Sequence, residues 1–291
     1  MSRPHLLLPF VMLLPSLGLA IWIIGYPLVD LVRMSVHAVN RFGQVGHFVG
    51  GLNFSGLLGD PLFWASFRRT VLWTVSITLG TILISLPTAL ILSQDFAGRG
   101  LARLIVLLPW AVSATMTGIV WRWTLNGQFG MLNALLMQLG LIGQPIEFLA
   151  TGEVAFPVAI LIGVLAAVPL TVVIFLGAFS SLPVDVFDAA LIDGAGPLAR
   201  FRYLTLPLIR PFIDIAVVLN VIYAFNSFGI IWILTQGGPA NSTDILVTYL
   251  YKVAFQYGKL AEASAMSLVM FAFLLVCCTL YARFAMRERA W

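Results

Sequence analysis

The sequence predicts an all-α, polytopic integral membrane protein with six transmembrane helices. Three observations carry that expectation. Of 291 residues, 60% are hydrophobic and only 10% are charged, whereas a soluble domain carries about 25% charged residues. The mean hydropathy is +1.01, so the chain holds more apolar surface than it can fold inside itself and needs a lipid solvent. The apolar residues also gather into six runs of bilayer length, and in hydrocarbon such runs must be helical, because each unpaired backbone group costs several kcal/mol.

The predicted spans are 6–32, 70–93, 104–125, 154–180, 211–234 and 261–284, forming one transmembrane domain over 1–291. The first opens with Arg3 and His5 and has a weak cleavage-like Gly18-Leu19-Ala20, as a signal peptide would. Its apolar run continues to Tyr26, too long for a signal h-region and long enough to span, so an uncleaved helix is expected. Pro15, Pro87, Pro109 and Pro169 lie inside spans and predict kinks that a bundle can accommodate. Cys277 and Cys278 are adjacent in an apolar run and read as small helix residues. His5, His37 and His47 are scattered and support no metal or catalytic constellation.

Of the connections, 33–69 is long and glycine-rich, 94–103 short and basic, 126–153 polar, and 235–260 carries Gln236-Gly237-Gly238-Pro239. Basic residues near span ends set orientation. One side holds Arg3, Arg99, Arg103, Arg200, Arg202, Arg210, Arg283, Arg287 and Arg289; the other holds Arg33, Arg41, Arg68, Arg69, Lys252 and Lys259. The excess places both termini inside, as an even number of spans allows. The net charge of +4 is ordinary for such a protein, and no basic run suggests nucleic acid.

The loop at 181–208 reads as two short helices. Pro183 suits a first helical turn and Asp185 its positive end. Gly194 stands where the first helix would stop in the left-handed conformation. Pro197 can open the second, and Pro207 discourages its continuation. Val184, Phe187 and Leu191 share a helical face. On physical grounds that short apolar face either lies on the headgroups or docks into a partner protein.

The residues Asp188-Ala189-Ala190, Asp193-Gly194-Ala195 and Leu206-Pro207 resemble the EAA loop of importer-type ABC permeases. Leu108-Pro109-Trp110-Ala111-Val112, Val120-Trp121-Arg122-Trp123, Phe129-Gly130-Met131-Leu132-Asn133, Thr235-Gln236-Gly237-Gly238-Pro239-Ala240 and Tyr249-Leu250-Tyr251-Lys252-Val253-Ala254-Phe255, in that order, extend the resemblance to nearly the whole chain. Together they are similar to the maltose-type and glycerol-phosphate-type carbohydrate permeases. The family usually has Glu where this chain has Asp188, which keeps the charge and shortens the reach by one methylene.

The resemblance implies an inner-membrane subunit that moves a sugar or related carbohydrate by alternating access. It implies a second homologous permease, two ATP-binding subunits and an extracytoplasmic solute-binding protein, with ATP and Mg held by the ATPase and no cofactor on this chain. Asp188, Ala189, Ala190, Asp193, Gly194, Ala195 and Pro207 would then form the ATPase-coupling segment. Gly237, Gly238 and Pro239 would form docking surface for the binding protein.

Candidate solute contacts follow from polar groups at membrane depth. In the fifth span, Asn220, Tyr223 and Ser227 fall at i, i+3 and i+7 on one helical face, with Asn226 beside them. Neutral donors, acceptors and a ring suit a sugar; the same groups can instead bond neighbouring helices. Thr115 is a candidate in the third span, although threonine hydroxyls commonly bond back to their own helix. Trp121 and Trp123 flank Arg122 and suit either an interfacial anchor or a gate that stacks on a sugar. Around Gly163, Ala166, Ala167 and Leu170 the fourth span offers small residues where related permeases often carry solute contacts.

Other classes fit less well. A proton-coupled secondary carrier, the main alternative, would need ionisable groups deep in the spans. Asp30 and Asp214 sit near span ends, and Glu262 opens the sixth. No filter loop, catalytic constellation or phosphate-binding GxxxxGK[ST] motif is present in the sequence, so the chain is not expected to be an enzyme.

Overall fold

The computed structural model describes residues 8–287, with side chains described over 12–285. Leu6, Leu7, Arg3, Arg289 and both chain termini lie outside the described residues. Two compact units emerge: 1–64 with 250–273, and 65–249 with 274–291.

In the first unit, α1 (Leu8–Ala20) runs through a π-helical turn (Ile21–Gly25) into α2 (Tyr26–Ser35). Pro27 explains the turn: it has no N–H for the carbonyl one turn back, and a π-turn re-registers the ladder before it. A hairpin of β1 (His37–Val39) and β2 (Val45–Phe48) follows, antiparallel with His37 opposite Phe48. Among the described residues this two-stranded sheet is the only β-structure. Asn53, on α3 (Leu52–Leu58), ties the hairpin to α2 by donating to the carbonyls of Ser35 (2.8 Å) and His37 (3.0 Å).

The long helix α4 (Pro61–Ser93) leads into the second unit. Next come α5 (Arg99–Leu107), a 3₁₀ turn (Leu108–Ala111), α6 (Ala114–Thr124), α7 (Met131–Gln138) and α8 (Gly152–Ser180). The loop helices α9 (Val184–Ile192) and α10 (Pro197–Arg200) precede a second π-helical turn (Phe201–Thr205) and α11 (Leu206–Phe225). Then follow α12 (Phe228–Thr235), α13 (Leu246–Tyr251) and α14 (Leu260–Arg287).

Among the described residues, five stretches are long and apolar enough to cross a bilayer: Met12–Ser35, Pro61–Ser93, Gly152–Ser180, Pro197–Phe225 and Leu260–Ala285. A sixth is a pair, Arg99–Ala111 and Ala114–Thr124, bent by 97°. The kink expected at Pro109 in the 104–125 span is thus a full break, and the helix before it begins earlier, at Arg99. Pro109 ends the first half, and Ser113 starts the second as an N-cap, its hydroxyl accepting from the Met116 N–H at 3.2 Å.

The span expected at 211–234 is also corrected. Helix continues unbroken from Pro197 to Phe225, because the π-turn at 201–205 absorbs Pro207 much as the earlier one absorbs Pro27. The break falls instead at Asn226, whose side-chain amide donates to its own helix at the Ile222 carbonyl (2.9 Å). Ser227 leaves helical geometry at φ −76, ψ 79.

The core of the second unit centres on Trp73, Ile77, Phe156, Ile162 and Phe175. The Trp73 indole N–H donates to the Ala224 carbonyl at 3.0 Å, and the Ser85 hydroxyl to that of Val168 at 3.2 Å. Gly163 permits a close approach between helices: a Cβ there would stand 2.5 Å from Ile77 Cδ1 and 3.2 Å from Trp73 Cη2. In lipid, where apolar burial drives little, such contact through small residues and interhelical hydrogen bonds holds helices together.

Candidate functional site

A cavity of about 680 Å³ opens between α6, α8 and α11. The middle of α8 contributes Ala166, Ala167, Leu170 and Thr171, so its small residues make room here while Gly163 packs elsewhere. Pro109, Trp110 and Val112, at the break before α6, form a second wall. The proline that ends α5 therefore also aims Trp110 at the cavity. Thr117 and Trp121 enter from α6, one helical turn apart, and Asn220 and Tyr223 from α11.

Among the described residues, no carboxylate, ammonium, guanidinium or imidazole lines this space. Its polar chemistry is neutral. Asn220 is 5% exposed and donates from Nδ2 to Thr171 Oγ1 (2.9 Å) and to the Ala216 carbonyl (2.8 Å). It thus bonds α11 to α8 and keeps its Oδ1 as an acceptor. The Thr171 hydroxyl donates to Ala167, and Thr88 bonds back to Ile84. Tyr223 is 38% exposed; its hydroxyl and that of Thr117 have no hydrogen-bond partner among the described residues, which leaves both able to serve a solute.

The geometry sorts the residues named from sequence. Trp121, Asn220 and Tyr223 meet at the cavity. Thr115 does not line it; the threonine there is Thr117, which the four-residue spacing from Trp121 could have signalled. Trp123 is 64% exposed and packs its ring 5.4 Å from Phe129. Asn226 and Ser227 fall outside because α11 ends before them, so the expected i+7 register of Ser227 is corrected. Arg122 donates to the Ile233 carbonyl at 3.1 Å, tying α6 to α12, and Gly118 on α6 lies under Ile233.

The loop at 181–208 forms a second candidate region. Pro183 caps α9 and Asp185 sits in its first turn. At the far end Asp193 closes the helix and Gly194 turns left-handed at φ +77. The Ala195 N–H reaches back to the Ala190 carbonyl (2.9 Å) and the Gly194 N–H to that of Leu191 (3.1 Å), a Schellman-type stop. Asp188 and Ala189 are exposed. Val184 and Phe187 both line a cavity at the ends of α4 and α8, whereas Leu191 and Ile192 (87% exposed) do not, so the predicted shared face loses Leu191. Pro207 lies inside helical structure, in the first turn of α11.

The 235–244 loop is tightly folded. Gly237 is buried at φ +79, and a Cβ there would run into the Asp244 carboxylate. Thr235 and Thr243 share a 2.7 Å hydrogen bond, and Thr243 donates to the Gly238 carbonyl (2.8 Å). Arg69 Nε donates to the Asp244 carbonyl at 2.7 Å. Gly237 thus shapes the loop; Pro239 is on its exposed side and Gly238 half-buried.

Residues 81–287 match the family described as binding-protein-dependent transport system inner membrane component. The chain is 54% identical over 281 residues to a probable ABC transporter permease protein of Brucella suis, covering 97% of each. It is 35% identical over 272 residues to the trehalose/maltose transport system permease protein MalF of Thermococcus litoralis, covering 92% of this chain and 90% of that one. Its fold is similar to that of a bacterial alginate ABC transporter crystallised with an alginate pentasaccharide-bound periplasmic protein. That likeness has a TM-score of 0.82 at 22% identity, and covers 97% of this chain and 94% of that one.

Proposed function

The chain belongs to the binding-protein-dependent transport system inner membrane components, and as an ABC importer permease, a transport component rather than an enzyme, we propose that it carries a neutral sugar or related carbohydrate by alternating access. The observation that carries this reading is the uncharged cavity, where Trp121 and Tyr223 offer ring faces and Thr117 and Tyr223 offer hydroxyls. Sugars bind through stacking against their apolar faces and hydrogen bonds to their hydroxyls, and need no formal charge. The sugar-related names among the relatives support the same class.

On this reading α9 lodges in a cleft of a separate ATPase. Its motion on ATP binding reaches the bundle through the continuous helix from Pro197 to Phe225, whose far end presents Asn220 and Tyr223. A rigid helix rotated at one end moves groups at the other without unfolding between. ATP and Mg belong to the partner subunits, since this sequence has no GxxxxGK[ST] motif. A second homologous permease, two ATP-binding subunits and a solute-binding protein complete the assembly. Both termini lie in the cytoplasm, and Gly238 and Pro239 belong to the outer surface offered to the binding protein. A proton-coupled carrier is disfavoured by the absence of a carboxylate or imidazole from the cavity lining.

Reconstituted with its partners in proteoliposomes, the transporter is expected to take up a labelled neutral oligosaccharide only with ATP. Tyr223→Phe should lower that uptake while ATPase activity and assembly persist. Uptake driven by a pH gradient without ATP would overturn the reading.

A further inference from the structure

A second cavity, of about 520 Å³, lies under the 181–208 loop, where α4 and α8 end and α9 and α10 begin. Leu90, Phe179, Phe187 and Phe201 give it an apolar wall. Among the described residues Arg200 is the one charged side chain in that lining, and no carboxylate lines it. The Arg200 Nε–H is shut off from solvent and has no hydrogen-bond partner among the described residues. A buried cationic donor without an acceptor is costly, and in a native protein it finds one. Gln94 and Thr205 flank it with further donors: Gln94 Nε2 makes only a 3.5 Å contact with the Leu90 carbonyl, and the Thr205 hydroxyl bonds to none of the described residues.

We propose that this cavity binds the phosphate of an anionic phospholipid. The guanidinium of Arg200 holds the phosphate oxygens, Gln94 and Thr205 donate beside it, and the phenylalanine wall packs the glycerol backbone. A lipid fits better than a soluble anion for two reasons. The apolar wall is wasted on inorganic phosphate. The cavity also sits where two long apolar helices stop, at Ser93 and Ser180, and basic pockets at such helix ends are where anionic lipid headgroups bind. Its volume falls in the range of about 300–1,000 Å³ usual for ligand sites. Because Phe187 is on α9 and Arg200 on α10, a bound headgroup would brace the loop against the spans. Any effect on coupling rests on the reading of α9 given above; the binding itself does not.

The test uses the intact transporter exchanged into nanodiscs of phosphatidylcholine with or without phosphatidylglycerol, with retained lipid counted by native mass spectrometry. Wild type should keep phosphatidylglycerol. Arg200→Gln should lose it about tenfold, whereas Arg200→Lys and the exposed neighbour Arg202→Gln should largely keep it. Equal retention by Arg200→Gln overturns the proposal. So does displacement of the lipid by inorganic phosphate, which would mark a free-anion site, and so does a crosslink from Arg200 to an ATPase carboxylate with no lipid retained. If no ATPase co-purifies, the importer reading fails, and retention by the chain alone still decides the lipid site.

Discussion

Gly194 has open space where a Cβ would stand, since no atom lies within 4 Å, yet it sits at φ +77. Its requirement is therefore conformational rather than steric. Gly194→Val should strain the end of α9 by about 1–2 kcal/mol, and Gly194→Asn, which tolerates the left-handed region, by less. Pull-down of the ATPase should fall for the valine variant and persist for asparagine. Gly163 is the opposite case, a glycine wedged against Ile77 and Trp73. Gly163→Leu should overpack the bundle and cost about 1–3 kcal/mol, read as a lower thermal midpoint in detergent, whereas Gly177→Ala, with nothing within 4 Å, should change little. Asn220 and Tyr223 divide in the same way. Asn220→Ala removes the α11–α8 hydrogen bond and should lower stability by about 0.6 kcal/mol. Tyr223→Phe should leave stability unchanged and lower uptake. From sequence these two residues could not be told apart, because bonding across helices and facing a solute call for the same polar side chains.

The elements were largely legible as apolar runs, and the exceptions have local causes. Hydropathy reads the solvent around a segment, not its direction, so Pro109 predicts a kink in 104–125 but not that, with Ser113, it turns the span by 97°. Ser113→Ala removes the cap of α6 and should cost about 1 kcal/mol, measured as lower thermal stability; Thr115→Ala, exposed and outside the cavity, should cost less. Pro207 was read as a stop because proline usually ends a helix. The π-turn that carries the helix past it has no signal in periodicity, since a proline inside an apolar run marks a break and a π-turn alike. The same continuity moved the break to Asn226 and took Ser227 off the face it shared with Asn220 on an unbroken register. The loop at 181–208 was legible in finer detail, since Pro183, Gly194 and Pro197 act through their own backbone preferences and need no tertiary partner.

At the scale of the whole molecule, the six apolar runs and the order of the family motifs specify the architecture, while the cavity needed three helices to be placed before its lining could be read. Ala166 and Ala167 were informative only once α8 was set beside Trp121 and Tyr223. One continuous helix joins the loop proposed to dock and the uncharged cavity proposed to take a sugar. Its central claim is that α9 holds the ATPase. The most direct test is to tag this chain, solubilise the membrane gently and identify what accompanies it, for the wild type and for a variant carrying Asp188→Ala and Gly194→Val. The account predicts a second permease and an ATPase with the wild type, and loss of the ATPase from a variant that still inserts and keeps its fellow permease. A chain that purifies alone and moves solute without ATP, or a variant that retains its ATPase in full, would contradict it.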